Sequence, residues 1–226
     1  MNEVIGTLIL VDATKIIKDF GITSTKDVNE RVPVIDLKTP DSGKNYVLMI
    51  TQKKFVDSGM GTPYLSILAT PGDEIRWWAE NTISHSNFDI NIKSITPDEQ
   101  YMHHWKDLFE NFPEEFPEKQ ECSLMVPPYL SNRDNFWSAQ YIISKYRVKS
   151  KNEIFLKKNT ICIPYKIELQ IIMNQNRWYK KNPLCTLILH PSIILKSSLS
   201  EYSDRSEATE NHVTARLVDG NLFISN

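Results

Sequence analysis

The chain has 226 residues, 41% of them hydrophobic and 24% charged, with a net charge of −2 and a pI near 6.2. One all-β domain of this length is ordinary, and the length suffices to bury a core without staples. The near balance of charge argues against nucleic acid or an anionic membrane surface as partner.

Three cysteines, Cys122, Cys162 and Cys185, are odd in number, widely spaced and free of any CxxC pattern. That is no disulfide framework, and it predicts free, buried thiols in a reducing compartment. The N-terminal stretch carries Glu3 ahead of a short apolar run and has no basic region before it, so no secretory signal is expected. No apolar run approaches the ~20 residues of a membrane helix. The expected location is the cytoplasm.

In chain order, Gly6–Val11 reads as a buried strand. Asp12 has the side chain to cap a helix over Ala13–Phe20, with Ile16, Ile17 and Phe20 at helical spacing and Gly21 as its stop. Ile22–Gly43 is polar, holds Pro33 and Pro40, and is read as a long loop. Tyr46–Thr51 is the next strand, and Gly59-Met60-Gly61 a flexible link.

Three strand-like runs follow: Tyr64–Thr70, Glu74–Glu80 and Asn87–Ile95. Pro71-Gly72-Asp73 turns the chain between the first two, and Asn81–Ser86 between the last two. In the second run Ile75 and Trp77 alternate with Arg76 and Trp78; in the third Phe88, Ile90 and Ile92 alternate with Asn87, Asp89, Asn91 and Lys93. A period of two places one set on each face of an antiparallel sheet, one face buried and one wetter.

Pro97 opens a short amphipathic helix expected over Asp98–Phe109, and Pro113 and Pro117 make an acidic loop of Glu114–Glu121. Strands are then predicted at Cys122–Val126, Phe136–Lys149, Asn159–Met173, Leu184–Leu189 and Ser192–Leu195. Ser197–His212 shifts to Ser, Glu and Asp and reads as a linker. Ala215–Val218 and Asn221–Ser225 flank Asp219-Gly220, a two-residue hairpin signal. The expected fold is an all-β, mainly antiparallel β-sandwich or jelly-roll-like body over residues 1–197, with one or two short helices. A polar linker and β-hairpin tail fill 198–226.

Reactive chemistry is sparse. Neighbours on a helix point about 100° apart, so His103-His104 cannot share one metal by helical spacing. A site joining His85, His104 or His190 to a cysteine requires long-range closure. Cys185, His190 and Met173 do not make the single-loop ligand cluster of a copper-binding sandwich. No GxSxG, Walker loop, HExxH or Gly-rich dinucleotide loop occurs. Asp89 and Glu74, the acid pair that comes to mind for proton transfer, read as solvated strand residues. Lys157-Lys158 and Lys180-Lys181 read as solvated turns. The expectation is no enzyme, no cofactor and no metal.

The aromatics carry more. Trp77 shares parity with Ile75 and is predicted core, whereas Trp78 shares parity with Arg76 and Glu80 and is predicted exposed. An exposed ring among polar groups suits a sugar face or a protein partner. Trp78, Arg76 and Asn87 are therefore the candidate ligand-binding residues of a glycan-binding, lectin-like module. Trp105, Tyr129, Trp137 and Trp178 fall in loops or at element ends, suited equally to an interface or a pocket.

The chain also resembles the AidA/PixA family of bacterial inclusion-body proteins. The resemblance rests on Leu8–Asp12 with the helix after it, on Tyr46–Ile50, and above all on Pro71-Gly72-Asp73-Glu74-Ile75-Arg76-Trp77, which is similar to the family's GD-hydrophobic-x-W strand. Lys166–Met173 followed by Leu187–Leu195 is similar to its closing pair of strands. There the family has an aromatic–Trp–Asp–Pro turn; Leu189-His190-Pro191 keeps only the proline, and Glu201–Asn226 lies outside the likeness. The resemblance implies a single-domain β protein without enzymatic activity. It implies abundant production, late in growth or under quorum control, in bacteria living with invertebrates. Some such proteins pack into intracellular crystalline inclusions. Some are methionine-rich; six Met in 226 residues do not support a methionine store here. The leading expectation is a protein whose partner is itself, as a homodimer or larger assembly, with low net charge and the Ser203–Asn226 tail aiding association.

Overall fold

The first strand, β1 (Val4–Val11), shows the expected alternation: Ile5, Thr7, Ile9 and Val11 are wholly buried, while Val4 and Leu8 face the other way. Asp12 ends it and begins the next element. Its carboxylate accepts the Lys15 N–H at 2.9 Å and caps α1 (Ala13–Asp19). The computed structural model describes residues 3–23, 32–38, 46–83, 87–101, 105, 107–110, 118–125, 138–149, 160–173, 183–196, 214–218 and 221–225.

Further along come β2 (Val34–Asp36), β3 (Val47–Ile50), β4 (Val56–Ser58), β5 (Ser66–Ala69), β6 (Glu74–Asn81) and β7 (Phe88–Pro97). They are followed by β8 (Phe109–Glu110), β9 (Glu118–Met125), β10 (Ser138–Val148) and β11 (Thr160–Met173). The last are β12 (Pro183–Leu189), β13 (Ser192–Lys196), β14 (Thr214–Val218) and β15 (Asn221–Ser225).

In the first sheet the order is β3-β1-β6-β10-β8, with β9 also paired to β10. In the second, β12 and β13 lie in one register along β11, with Ile167 opposite Leu189 and Pro164 opposite Ser192. β7 takes the other side of β11; β2 flanks β12, β5 flanks β13, and β4 lies outside β5. Three pairings are parallel, β1 with β6, β12 with β2 and β13 with β5, and the rest are antiparallel. The mainly antiparallel, strand-dominated fold expected from the sequence is what forms.

Several details differ from the expectation. The three runs that become β5, β6 and β7 do not pair with one another. β5 and β7 belong to the second sheet and β6 to the first, so each turn carries the chain across the sandwich. The supposed loop Ile22–Gly43 contains β2, because Ile35 and Leu37 reach the core and the Thr186 N–H donates to Pro33 O at 2.9 Å. The helix expected over Asp98–Phe109 gives way to a 3-10 turn, Glu99–Tyr101, and helical backbone at residues 105, 107 and 108 before β8 begins. β9 starts at Glu118, inside the expected acidic loop, because it pairs with β10 from Glu118 to Met125.

Between the sheets Trp77 of β6 meets Tyr165 of β11. The Trp77 Nε1–H donates to the Tyr165 hydroxyl at 3.0 Å, and the ring centroids stand 5.8 Å apart, edge to face. Trp105, expected near an interface or pocket, is instead wholly buried against Phe109 and Tyr165, at 4.5 and 6.0 Å between centroids. Ile75, Ile167, Leu169, Leu187 and Leu189 close the core around them. Each such side chain contributes about 1.5–3 kcal/mol by leaving water. Cys185 is buried as expected, but Cys162 is exposed, since it takes the outward position next to inward-facing Ile163 on β11.

β14 and β15 form the predicted hairpin, from Thr214 opposite Ser225 to Val218 opposite Asn221, and among the described residues each pairs with the other alone. The linker and the boundary at 197/198 lie outside the described residues. So do His85, His103, His104, Tyr129, Trp137, Trp178, Lys157-Lys158 and Lys180-Lys181.

Candidate functional site

The corner that opens β6 is tied by several hydrogen bonds to segments distant in sequence. Gly72 adopts φ 94°, which glycine takes without strain, and its N–H donates to Val148 O at 3.0 Å. Asp73 follows with 1% exposure. Its Oδ1 accepts the Glu3 N–H at 2.9 Å, and its Oδ2 accepts both the Thr70 N–H and the Thr70 hydroxyl at 2.8 Å. Its own carbonyl accepts the Val148 N–H at 2.8 Å. One carboxylate thus pins the start of β1, while the backbone on either side of it holds the end of β10. The Gly72-Asp73-Glu74-Ile75-Arg76-Trp77 run is therefore an architectural device: a tight turn, a buried acceptor, and two inward side chains that reach the other sheet.

The outer face of β6 carries the opposite parity. Glu74 stands between two guanidinium groups, accepting from Arg76 Nε at 2.6 Å and from Arg147 at 2.9 Å. Burial pushes its carboxyl up, but the bonds and charges of Arg76 and Arg147 outweigh that and hold it below its ordinary value. Glu74 is thus not the solvated strand residue expected. Trp78 lies next on this face and is half-buried. A Cβ added to Gly6 on the neighbouring strand would stand 3.0 and 3.1 Å from its ring carbons Cη2 and Cζ3. The ring is laid across β1, level with Leu8 and Ile50. Glu80, the next outward residue, has its carboxyl raised by burial to about 7.

Of the three candidate ligand residues, the structure places Arg76 and Trp78 side by side on this face. Asn87 is exposed one residue before β7, a strand of the other sheet, and no hydrogen bond among the described residues joins it to either.

Sequence reasoning did not single out the outer face of the second sheet. A cleft of about 700 Å³ lies there, lined by Lys38, Asp98, Glu99, Gln100, Lys166 and His190. His190 Nε2 is 2.7 Å from Asp36 Oδ1, and Lys38 Nζ is 3.0 Å from Asp36 Oδ2. Burial raises the Asp36 carboxyl, but the hydrogen bonds and charges of His190 and Lys38 together outweigh it and hold it below its ordinary value. Lys166 faces Asp98 at 3.5 Å, and Lys93 holds Glu168 at 2.6 Å. No group of three or more His, Cys, Asp and Glu arranged to hold a metal occurs among the described residues. No helix among them is long and apolar enough to cross a membrane. His190 lies outside any periodic motif; the sequence offered it only as a possible metal ligand and as the neighbour of Pro191, and gave no sign of Asp36 as its partner.

Residues 3–126, just over half the chain, match the family described as PixA, inclusion body protein. Among solved structures the chain is similar to an inclusion body protein (PixA) from Burkholderia cenocepacia. That pair shares 10% identity over 87% of this chain and 96% of the other, with a TM-score of 0.46. It is also similar to a cysteine protease inhibitor from Entamoeba histolytica, at 16% identity over 59% of this chain and 86% of the other, with a TM-score of 0.23. No curated protein matches the sequence.

Proposed function

Since the chain belongs to the PixA inclusion body protein family, we propose that it is a non-enzymatic protein of the cytoplasm, made abundantly late in growth, that associates with copies of itself and packs into intracellular inclusions. The family match over residues 3–126 carries this reading. Two physical features support it. A net charge of −2 on 226 residues offers little repulsion between copies. The β14–β15 hairpin pairs with no other strand among the described residues, and a lone two-stranded hairpin is marginally stable in water. A neighbouring copy supplies the surface it needs, by extension of a sheet edge or by apolar contact.

The test has two arms. Bacteria producing the chain are examined for dense bodies, and the composition of any such bodies is determined by mass spectrometry. The purified protein is weighed by light scattering over a hundredfold concentration range, alongside a chain ending at residue 197. Bodies rich in the protein and a mass that grows with concentration are expected, with the shorter chain shifted toward monomer. A monomer at every concentration and no bodies would overturn the proposal. Growth of the shorter chain equal to that of the full one would remove the hairpin from it.

A further inference from the structure

The outer side of the first sheet carries apolar side chains where a solvated sheet face carries polar ones. Ile50, Leu8 and Trp78 stand level across β3, β1 and β6, and Leu48, Leu10 and Glu80 form the next row. All six point away from the core, since Val47, Met49, Ile9 and Trp77 beside them are the buried set. Leu10, in the middle, is 8% exposed, but Leu8, Leu48, Ile50 and Trp78 are part-exposed on the single chain, and Val4 on the same side of β1 is exposed. The Trp78 ring lies over Gly6, so it broadens this platform rather than standing out of it. A contiguous apolar patch of this kind marks a place where another surface sits.

The β14–β15 hairpin has the matching half. Its register sets Ala215 opposite Ile224 and Leu217 opposite Leu222, so these four apolar positions share one side of the ribbon in two adjoining rows. Arg216, Val218 and Phe223 belong to the other side. We propose that the hairpin of one copy lies with its Ala215, Leu217, Leu222 and Ile224 side on the Leu8, Leu48, Ile50 and Trp78 face of the next copy. This rests on the self-association proposed above and names its two surfaces. Residues 197–213 separate Lys196, the end of β13, from Thr214, and a chain of that length reaches about 60 Å at full stretch, several times the ~10 Å between packed sheets. The hairpin can therefore reach a face beyond its own body. The occupant is the hairpin of a second copy, because the single chain leaves this face part-exposed while β14 and β15, among the described residues, pair only with each other. Each copy then offers one hairpin and one face. Such a contact runs head to tail: it closes where two copies exchange hairpins, and otherwise continues as an open row. An open row is a route into a dense body.

Complementation between two full-length variants tests this, with mass read by light scattering over a hundredfold concentration range. The hairpin variant carries Leu217→Glu and Leu222→Glu; the face variant carries Leu8→Glu and Ile50→Glu. Ile50→Gln, a milder change at the sheet edge, replaces the face variant if far-UV circular dichroism shows the double change to cost the fold. The wild-type mass is expected to grow with concentration, and each variant alone is expected to stay monomeric. Mixed one to one, the variants are expected to give a species of about twice the monomer mass that grows no further, because only one intact hairpin and one intact face can meet. Phe223→Ser, on the other side of the ribbon, is expected to grow like the wild type. A hairpin variant that grows like the wild type, a mixture that stays monomeric, or a Phe223→Ser chain that loses its growth would each overturn the docking. A wild type that grows together with both variants sinks this docking and leaves self-association standing, whereas a wild type that is monomeric throughout sinks both.

Discussion

Asp73 and Asp36 are both carboxylates that bind segments distant in sequence, but they do so in opposite settings. Asp73 is 1% exposed and accepts from two backbone N–H groups and a threonine hydroxyl, none of which titrates. Asp36 is exposed and meets two side chains, His190 at 2.7 Å and Lys38 at 3.0 Å. The first arrangement is a permanent fastening. Its donors have nowhere else to go, and an unmade buried bond is costly. The second is a surface arrangement, whose partners have water as an alternative. The family motif lies at the first kind of corner, and so its residues report on architecture rather than chemistry.

The largest effect that separates core from surface is expected at Trp77→Ala. It removes a wholly buried ring and the donor to Tyr165 and costs about 4 kcal/mol in urea denaturation. Trp77→Phe is expected to recover most of that loss; equal destabilisation by both would show that the hydrogen bond, and not the packing, dominates. Asp73→Ala comes next, at about 3 kcal/mol, because it leaves three donors at the corner without their acceptor. Asp36→Asn, which removes an acceptor at the exposed edge of the second sheet, is expected to cost under about 1 kcal/mol in the same measurement. Equal losses at the two positions would make the two carboxylates alike.

A smaller effect is expected at Glu80, whose carboxyl burial raises from 4.5 to about 7. The folded chain keeps a proton that the unfolded chain releases, so this residue's contribution is full below about pH 4.5 and declines as pH rises through 7. Glu80→Gln is expected to remove that decline and to stabilise the protein at pH 8 by roughly 1 kcal/mol, after allowance for solvent screening. Urea midpoints across the pH range check it. A variant that is no more stable at pH 8 than the wild type would mean that the carboxylate is already well solvated.

The local elements were legible because their causes are local. Asp12 capping α1, the period of two through Ile75 and Trp77, and the pairing of β14 with β15 all depend on residues a few places apart. The failures share one cause as well. Glu74 looked solvated because Arg147, which with Arg76 holds it, is far along the chain. Trp105 looked peripheral because one of the two rings packed on it, Tyr165, comes from a distant strand of the other sheet, while Phe109 is its near neighbour in the chain. Trp78 was rightly placed opposite Trp77, but the glycine beneath it on β1 turned an exposed platform into a half-buried ring.

From its own pattern the sequence determined where the longer strands run, which side of β6 and β7 is apolar, and the membership of the inclusion-body family. Which strands become neighbours was decided only in three dimensions. A period of two names the two faces of a strand and says nothing of its edges, so the crossing of β5, β6 and β7 between sheets and the meeting of His190 with Asp36 depended on backbone pairing between distant segments.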